Sequence, residues 1–255
     1  MIQFGEFLPD QPDYSNPGVT KAENVIPAAG GYRSLPEFVA YSGAADADIN
    51  GVFAAKDNTG NVKLFAGDNA KIYECDSSDS SLDNISRSGN YTRTAPEERW
   101  RFVQFGTDVI AVGGIGVPPQ RYTLGTSSLF ADLAGSPPDA DFIAVVRDFV
   151  WLGNVEDGSG NRLPYRVQWS GFNDITSWTA GTEQSDFQDI PDAGNITGMV
   201  GGEYCTILME RAIVRATYSG PPLIFQFDKV ETARGCQVPG SICNIGHTVF
   251  YLSDD

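Results

Sequence analysis

Phe142-Ile143-Ala144-Val145-Val146, then Arg147-Asp148, then Phe149-Val150-Trp151-Leu152: two apolar runs flank a charged pair. Runs this short, rich in β-branched and aromatic residues and separated by a polar turn, fit a β-hairpin better than helices. The module recurs in both directions along the chain. Upstream, Val52–Ala55 turns through Asp57–Asn61 into Val62–Phe65, and Phe102–Phe105 turns through Gly106–Asp108 into Val109–Val112. Downstream, Thr197–Val200 turns through Gly201–Glu203 into Tyr204–Leu208, and Ile242–Ile245 turns through Gly246–Thr248 into Val249–Leu252. Between the turns at Gly60, Thr107, Arg147, Gly202 and Gly246 lie about 47, 40, 55 and 44 residues, within the range of four-stranded propeller blades. The expected fold is all-β, a β-propeller-like array of about five small antiparallel sheets. Such an array offers faces and channels more readily than a deep catalytic cleft.

Between the modules, Glu74–Asn90 reads as a polar hairpin tip, and Gly113–Ser136 holds one short strand at Gln120–Leu124. Val155–Leu163 is a turn that leads into the alternating strand Pro164–Trp169. Cys205, Leu208, Met209, Ala212, Ile213 and Ala216 also fit a helical period. Thr206, Ile207, Ile213, Val214 and Thr217 are β-branched, which favours a hairpin turning at Glu210–Arg211.

Residues 1–50 differ from the body at 51–255. Proline and glycine recur too often for a helix, and a short strand at Lys21–Ile26 halts at Pro27, followed by a turn over residues 28–33. This is an extended arm with aromatic anchors at Phe4, Phe7, Tyr14 and Tyr32, which must pack on its own body or on a neighbouring subunit. At the other end, Val249–Leu252 runs into Ser253-Asp254-Asp255 where a further turn is due. The last blade is therefore expected to be incomplete, the chain being a fragment or borrowing strands from the arm or a neighbour.

Composition narrows the function. The 255 residues are 41% hydrophobic, enough for a substantial core. No apolar run approaches a membrane span, and Met1–Asp10 lacks the pattern of a signal peptide, so membrane insertion is not expected. A net charge of −16 argues against a nucleic-acid grip, which needs clustered Lys and Arg. It suits a wall that DNA slides past without adhering. Cys75, Cys205, Cys236 and Cys243 form no C-x-x-C pair and read as free thiols, with Cys205 a small core residue.

Candidate chemistry is sparse. His247, the single histidine, sits at a turn with no Ser or Cys elbow to pair with it. Glu97-Glu98, Asp186 with Asp189, and Asp254-Asp255 are the carboxylate pairs a glycosidase would need, in a chain where acids are common anyway. Asp57–Asn61 and Asp157–Asn161 have some oxygen ligands of a calcium loop but not its closing Glu, and hairpin turns account for both. Asn173-Asp174 lacks the glycine and spacing of a sialidase Asp-box, and Trp169 and Trp178 read as blade packing. No catalytic, cofactor or metal residue is assigned, and no enzyme activity is expected.

Several runs nevertheless resemble uncharacterised structural proteins of tailed bacteriophages. They are Arg166-Val167-Gln168-Trp169-Ser170, Asp186-Phe187-Gln188-Asp189-Ile190-Pro191, Gly201-Gly202-Glu203-Tyr204, Glu210-Arg211-Ala212-Ile213 and Gly220–Lys229. Asn24-Val25-Ile26-Pro27 with Gly30-Gly31-Tyr32-Arg33 and Pro36 is similar to the opening of the tail nozzle family, which includes tail tubular protein B and the P22-type packaged-DNA stabilisation proteins. Members of that family are longer, with a complete propeller and inserted domains. The resemblance implies a virion protein made in the host cytoplasm, a hexameric ring below the head-to-tail adaptor. It would extend the DNA channel without binding DNA specifically and dock tail fibres or a needle. Phe4, Phe7, Tyr14, Tyr32 and Arg33 are then the expected subunit-interface residues. The alternative reading is a receptor-binding or glycan-cleaving tail protein, motivated by the tryptophans and acidic pairs.

Overall fold

Turn residues cut the chain into short strands, and among the described residues of the computed structural model there is no α-helix. Those described residues are 5–29, 31–92, 98–246 and 248–253. They fall into two units, Met1–Tyr41 and Ser42–Asp255.

The first unit contains one hairpin, β1 (Val25–Ala28) and β2 (Gly31–Ser34). Here the structure departs from the sequence expectation: the strand begins later and runs through Pro27, which pairs with Tyr32. A two-stranded ribbon has two free edges, so a residue without an N–H is tolerated where its nitrogen faces away from the partner. Leu8 N–H donates to Val19 O at 2.9 Å, and Val19 N–H to Glu6 O at 2.8 Å. None of the unit's described residues is buried.

The second unit is a series of antiparallel meanders. Sheet one is β3 (Gly51–Lys56), β4 (Val62–Gly67), β5 (Ile72–Cys75) and β6 (Leu82–Asn84). Sheet two is β7 (Arg101–Phe105), β8 (Asp108–Val112), β9 (Gln120–Thr123) and β10 (Ala131–Asp132). Sheet three is β11 (Asp139–Val146), β12 (Phe149–Glu156), β13 (Arg162–Trp169) and β14 (Asp186–Asp189). Sheet four is β15 (Ile196–Val200), β16 (Tyr204–Met209), β17 (Ile213–Gly220) and β18 (Ile224–Glu231). A hairpin of β19 (Cys243–Ile245) and β20 (Thr248–Phe250) follows. In every sheet the strands bond in sequence order, and the all-β, propeller-like array of small antiparallel sheets expected from the sequence is what forms.

All five hairpins inferred from the repeat are present, and Glu210–Arg211 is indeed a turn, between β16 and β17. The region Glu74–Asn90 is more structured than a single loop. Strands β5 and β6 enter it, and the turn narrows to residues 76–81, where Asp76 N–H bonds Ser81 O at 3.0 Å.

Alternation of side chains explains how the sheets pack. In β8, Val109 and Ala111 enter the core shared with sheet one, while Ile110 and Val112 enter the core shared with sheet three. In β12, Phe149 and Trp151 face sheet four, and Val150 and Leu152 face sheet two. In β16, Cys205, Ile207 and Met209 join the core with sheet three, whereas Leu208 packs with Val249 and Tyr251 near the last hairpin. A strand buried on both faces reads as a continuous apolar run rather than an alternating one, which is what the quoted stretch shows. The core between sheets three and four is aromatic: Trp151 stacks on Trp169 with centroids 5.0 Å apart and meets Phe225 edge-on at 4.7 Å. Full burial of each such side chain stabilises by about 1.5–3 kcal/mol.

The alternation breaks once in sheet three. Asn154 takes φ 56°, and the register of β12 against β13 shifts between Gly153 and Val155. Beyond this bulge Val155 and its partner Ala140 join the core with sheet two, although Trp151 and Phe142, of the same parity, face sheet four. One left-handed residue thus exchanges the two faces of the strand end.

Candidate functional site

The bulge marks a cavity of the second unit lined by several charged and polar side chains. It measures about 270 Å3, and Glu98, Arg101, Asp141, Asn154, Thr197 and Glu210 are among the residues lining it. Asp141 and Asn154 lie on neighbouring strands at the break in alternation. Arg162 Nη2 donates to Asp141 Oδ2 at 2.5 Å, and Arg101 Nη1 donates to the Asp141 carbonyl at 2.7 Å. The Arg101 guanidinium also lies 4.3 Å from the Phe142 ring centre. Asn154 Nδ2 donates to Ile196 O at 3.3 Å, joining sheet three to sheet four. Asp141 Oδ1 and Asn154 Oδ1 are buried without a hydrogen-bond partner. Buried acceptors of this kind favour a donor such as an ordered water. The Thr197 hydroxyl is committed to Leu208 O at 3.2 Å. This arrangement is a clamp between sheets rather than a nucleophile with its base.

Other polar groups are also engaged structurally. Asp57 Oδ1 accepts from the N–H groups of Thr59 (2.8 Å) and Asn61 (2.9 Å), and Asp157 Oδ1 accepts from those of Ser159 (2.9 Å) and Asn161 (3.0 Å). These bonds, led by the Thr59 hydroxyl, hold Asp57 down to about 2. Both loops are hairpin turns whose carboxylates are spent on their own backbone, as the sequence indicates. Asp189 of the candidate acid pair is bound by Arg166 through two bonds of 2.6 and 2.8 Å. That bond is the main reason the guanidinium of Arg166 is raised. Asp186 pairs across the strands with Trp169. Trp169 and Trp178 are buried, and their indole N–H groups donate to Gln184 O (2.8 Å) and Ile175 O (2.7 Å). They pack blades and offer no platform to a sugar. The four cysteines are free, and burial pushes the Cys205 thiol up. Among the described residues no three His, Cys, Asp or Glu side chains are grouped to hold a metal ion. His247, Glu97, Asp254 and Asp255 lie outside the described residues.

The expected interface residues are scattered over the first unit. Phe4 lies outside the described residues. Phe7 bridges to Val19 and is 50% exposed, and Tyr14 is 91% exposed. Tyr32 is partly buried on β2, where its hydroxyl donates to Gly5 O at 3.1 Å. Arg33 is exposed, paired with Ile26 across the hairpin. The structure adds Phe38, Val39 and Tyr41, all largely exposed. The apolar run Phe38-Val39-Ala40-Tyr41 after Pro36 was the available signal for them. Nothing in the sequence marks Asn154 as a bulge.

A second, larger cavity is a groove of about 490 Å3 between sheets three and four. Gln188, Asp189 and Asp192 line one wall, and Leu223, Phe227 and Lys229 line the other. Lys229 is paired with Asp192 across it. Compared with known proteins, the chain matches no family model and no curated protein.

Proposed function

We propose that this chain is a non-enzymatic structural protein of a phage tail, a ring-forming nozzle or tail-tube component. In this reading several copies assemble below the head-to-tail adaptor, extend the DNA channel, and dock fibres or a needle. The observation that carries it is the division of labour in the chain. A body of serially packed sheets supplies its own cores, while the N-terminal unit leaves Phe7, Tyr14, Phe38, Val39 and Tyr41 in solvent. Exposed aromatic anchors on a segment with little core of its own suit docking on another subunit. The residue runs similar to phage structural proteins, and the acidic charge expected of a non-adhesive bore, support the same reading. The hexameric state and the virion location follow from that similarity.

Antibody labelling of purified virions under electron microscopy, with imaging of the recombinant protein, tests the proposal. Label on the tail and ring-shaped particles are expected. A stable monomer that is absent from virions would overturn it.

A further inference from the structure

Each junction inside the body joins two sheet faces of opposite sense. Sheet two meets sheet one through Val109 and Ala111 and sheet three through Ile110 and Val112. It thus has a leading face toward the preceding sheet and a trailing face toward the next, and sheets three and four are built alike. The last hairpin follows the same rule: Ile242, Val249 and Tyr251, on its leading face, pack with Leu208 of sheet four.

Two faces remain, the leading face of sheet one and the trailing face of the last hairpin. Cross-strand partners share a face. Phe53, Ala55 and Phe65 point to sheet two, so the register puts Val52, Ala54, Val62, Leu64, Cys75 and Leu82 on the leading face of sheet one. Val52 is 74% exposed there, and Ala54 and Val62 are exposed as well. In the hairpin, Cys243↔Phe250 and Ile245↔Thr248 share the trailing face, and Leu252 continues its parity. Cys243, Ile245, Phe250 and Leu252 are all exposed, Ile245 at 64%.

Both faces avoid the acidic charge of the chain. Among the described residues the register places one charged side chain, Lys56, on the first and none on the second. Residues 232–253 contain no Asp or Glu, although the chain has 33. Arg234 is their one formal charge, and it acts on the neighbouring Glu231. Carboxylates near sheet one stand in its flanking loops: Asp46 is paired with Lys71, and Asp57, Asp76 and Asp79 accept from N–H groups of their own turns. Two copies carrying −16 each would meet with least repulsion here, through surface as poor in charge as an interface core.

We propose that the trailing face of the last hairpin packs on the leading face of sheet one in a second copy of this chain. The occupant is a second copy because the two faces have opposite sense, as at every junction inside the body, yet are exposed within one chain. The contact is heterologous, so copies add head to tail until a ring closes. It rests on the sheet faces and not on the tail assignment.

Sedimentation velocity of the full chain, with V52E and I245E at the two exposed positions, tests the proposal. The parent should associate with Kd on the order of 10–100 μM. Each variant alone should associate at least about tenfold more weakly, because a carboxylate is costly to bury in an apolar contact. Mixed in equal amounts, V52E and I245E should form a one-to-one complex of near-parental affinity that grows no further, since each supplies the face the other has lost. Thermal midpoints near that of the parent check that both variants fold, and V52S with I245S repeats the mixing without an introduced charge. A parent that stays monomeric at about 100 μM, or variants that associate as the parent does, would overturn the proposal. So would a mixture that associates no more than either variant alone, since like faces would then be meeting.

Discussion

The two units spend similar residues in opposite ways. In Ser42–Asp255 the aromatic side chains converge: Trp151, Trp169 and Phe225 meet within a single core, and Phe65, Tyr122 and Phe130 within another. In the N-terminal unit Phe7, Tyr14, Phe38 and Tyr41 remain at least half exposed. A lone two-stranded hairpin is marginal in water at best, because ordering its backbone is offset by little burial. The body supplies its own cores, whereas none of the described residues of the N-terminal unit is buried.

The largest expected effect tests the body's side of that contrast. Trp151→Ala empties the centre of the aromatic core and should cost about 3–5 kcal/mol, read from urea unfolding. A loss under about 1 kcal/mol would mean that sheets three and four are not held by this cluster.

Next is the bulge. Asn154 holds a left-handed conformation that glycine adopts freely and alanine does not, so N154A should be about 1 kcal/mol less stable than N154G. Equal stability would show that the exchange of faces at Val155 does not depend on that backbone angle.

Asp139 gives a smaller effect of opposite sign. Burial raises its carboxyl, opposed by the Gly116 N–H and assisted by the charges of Glu156 and Asp132. With the folded value above the unfolded one, the folded state holds more protons at this site, so the contribution of Asp139 to stability is greatest at acid pH. It falls as pH rises from the unfolded value through the folded one. D139N should therefore stabilise the body at pH 7 by less than about 1 kcal/mol and flatten that fall, since Asn keeps an acceptor for Gly116. A destabilised D139N at pH 7 would reverse the assignment.

The smallest stability change is expected in the N-terminal unit. Y14S with F38S should alter the unfolding free energy of the isolated chain by no more than about 0.5 kcal/mol, yet reduce self-assembly in sedimentation. Lost stability with unchanged assembly would place these side chains in a core and sharpen the contrast differently.

The hairpins were legible because each joins two local signals, an apolar run and a turn that can reverse it. Arg147-Asp148 and Glu210–Arg211 needed no distant residue to be recognised. The edge strands were less legible: β10 is two residues, and β14 carries mainly polar side chains, so neither has a hydrophobic pattern to detect. Burial of Trp169 and Trp178 agrees with the packing role their surroundings indicate, whereas the exposure of the apolar run Phe38, Val39 and Tyr41 is visible only in the structure.

The sequence by itself determined the strand-turn rhythm, the acidic charge and the pairing of neighbours along the chain, since these depend on side-chain period and turn chemistry over a few residues. Only the tertiary structure decided which face of a doubly buried strand meets which sheet. A continuous apolar run has no polar face to orient it, and in sheet three the left-handed angle at Asn154 exchanges the faces partway along.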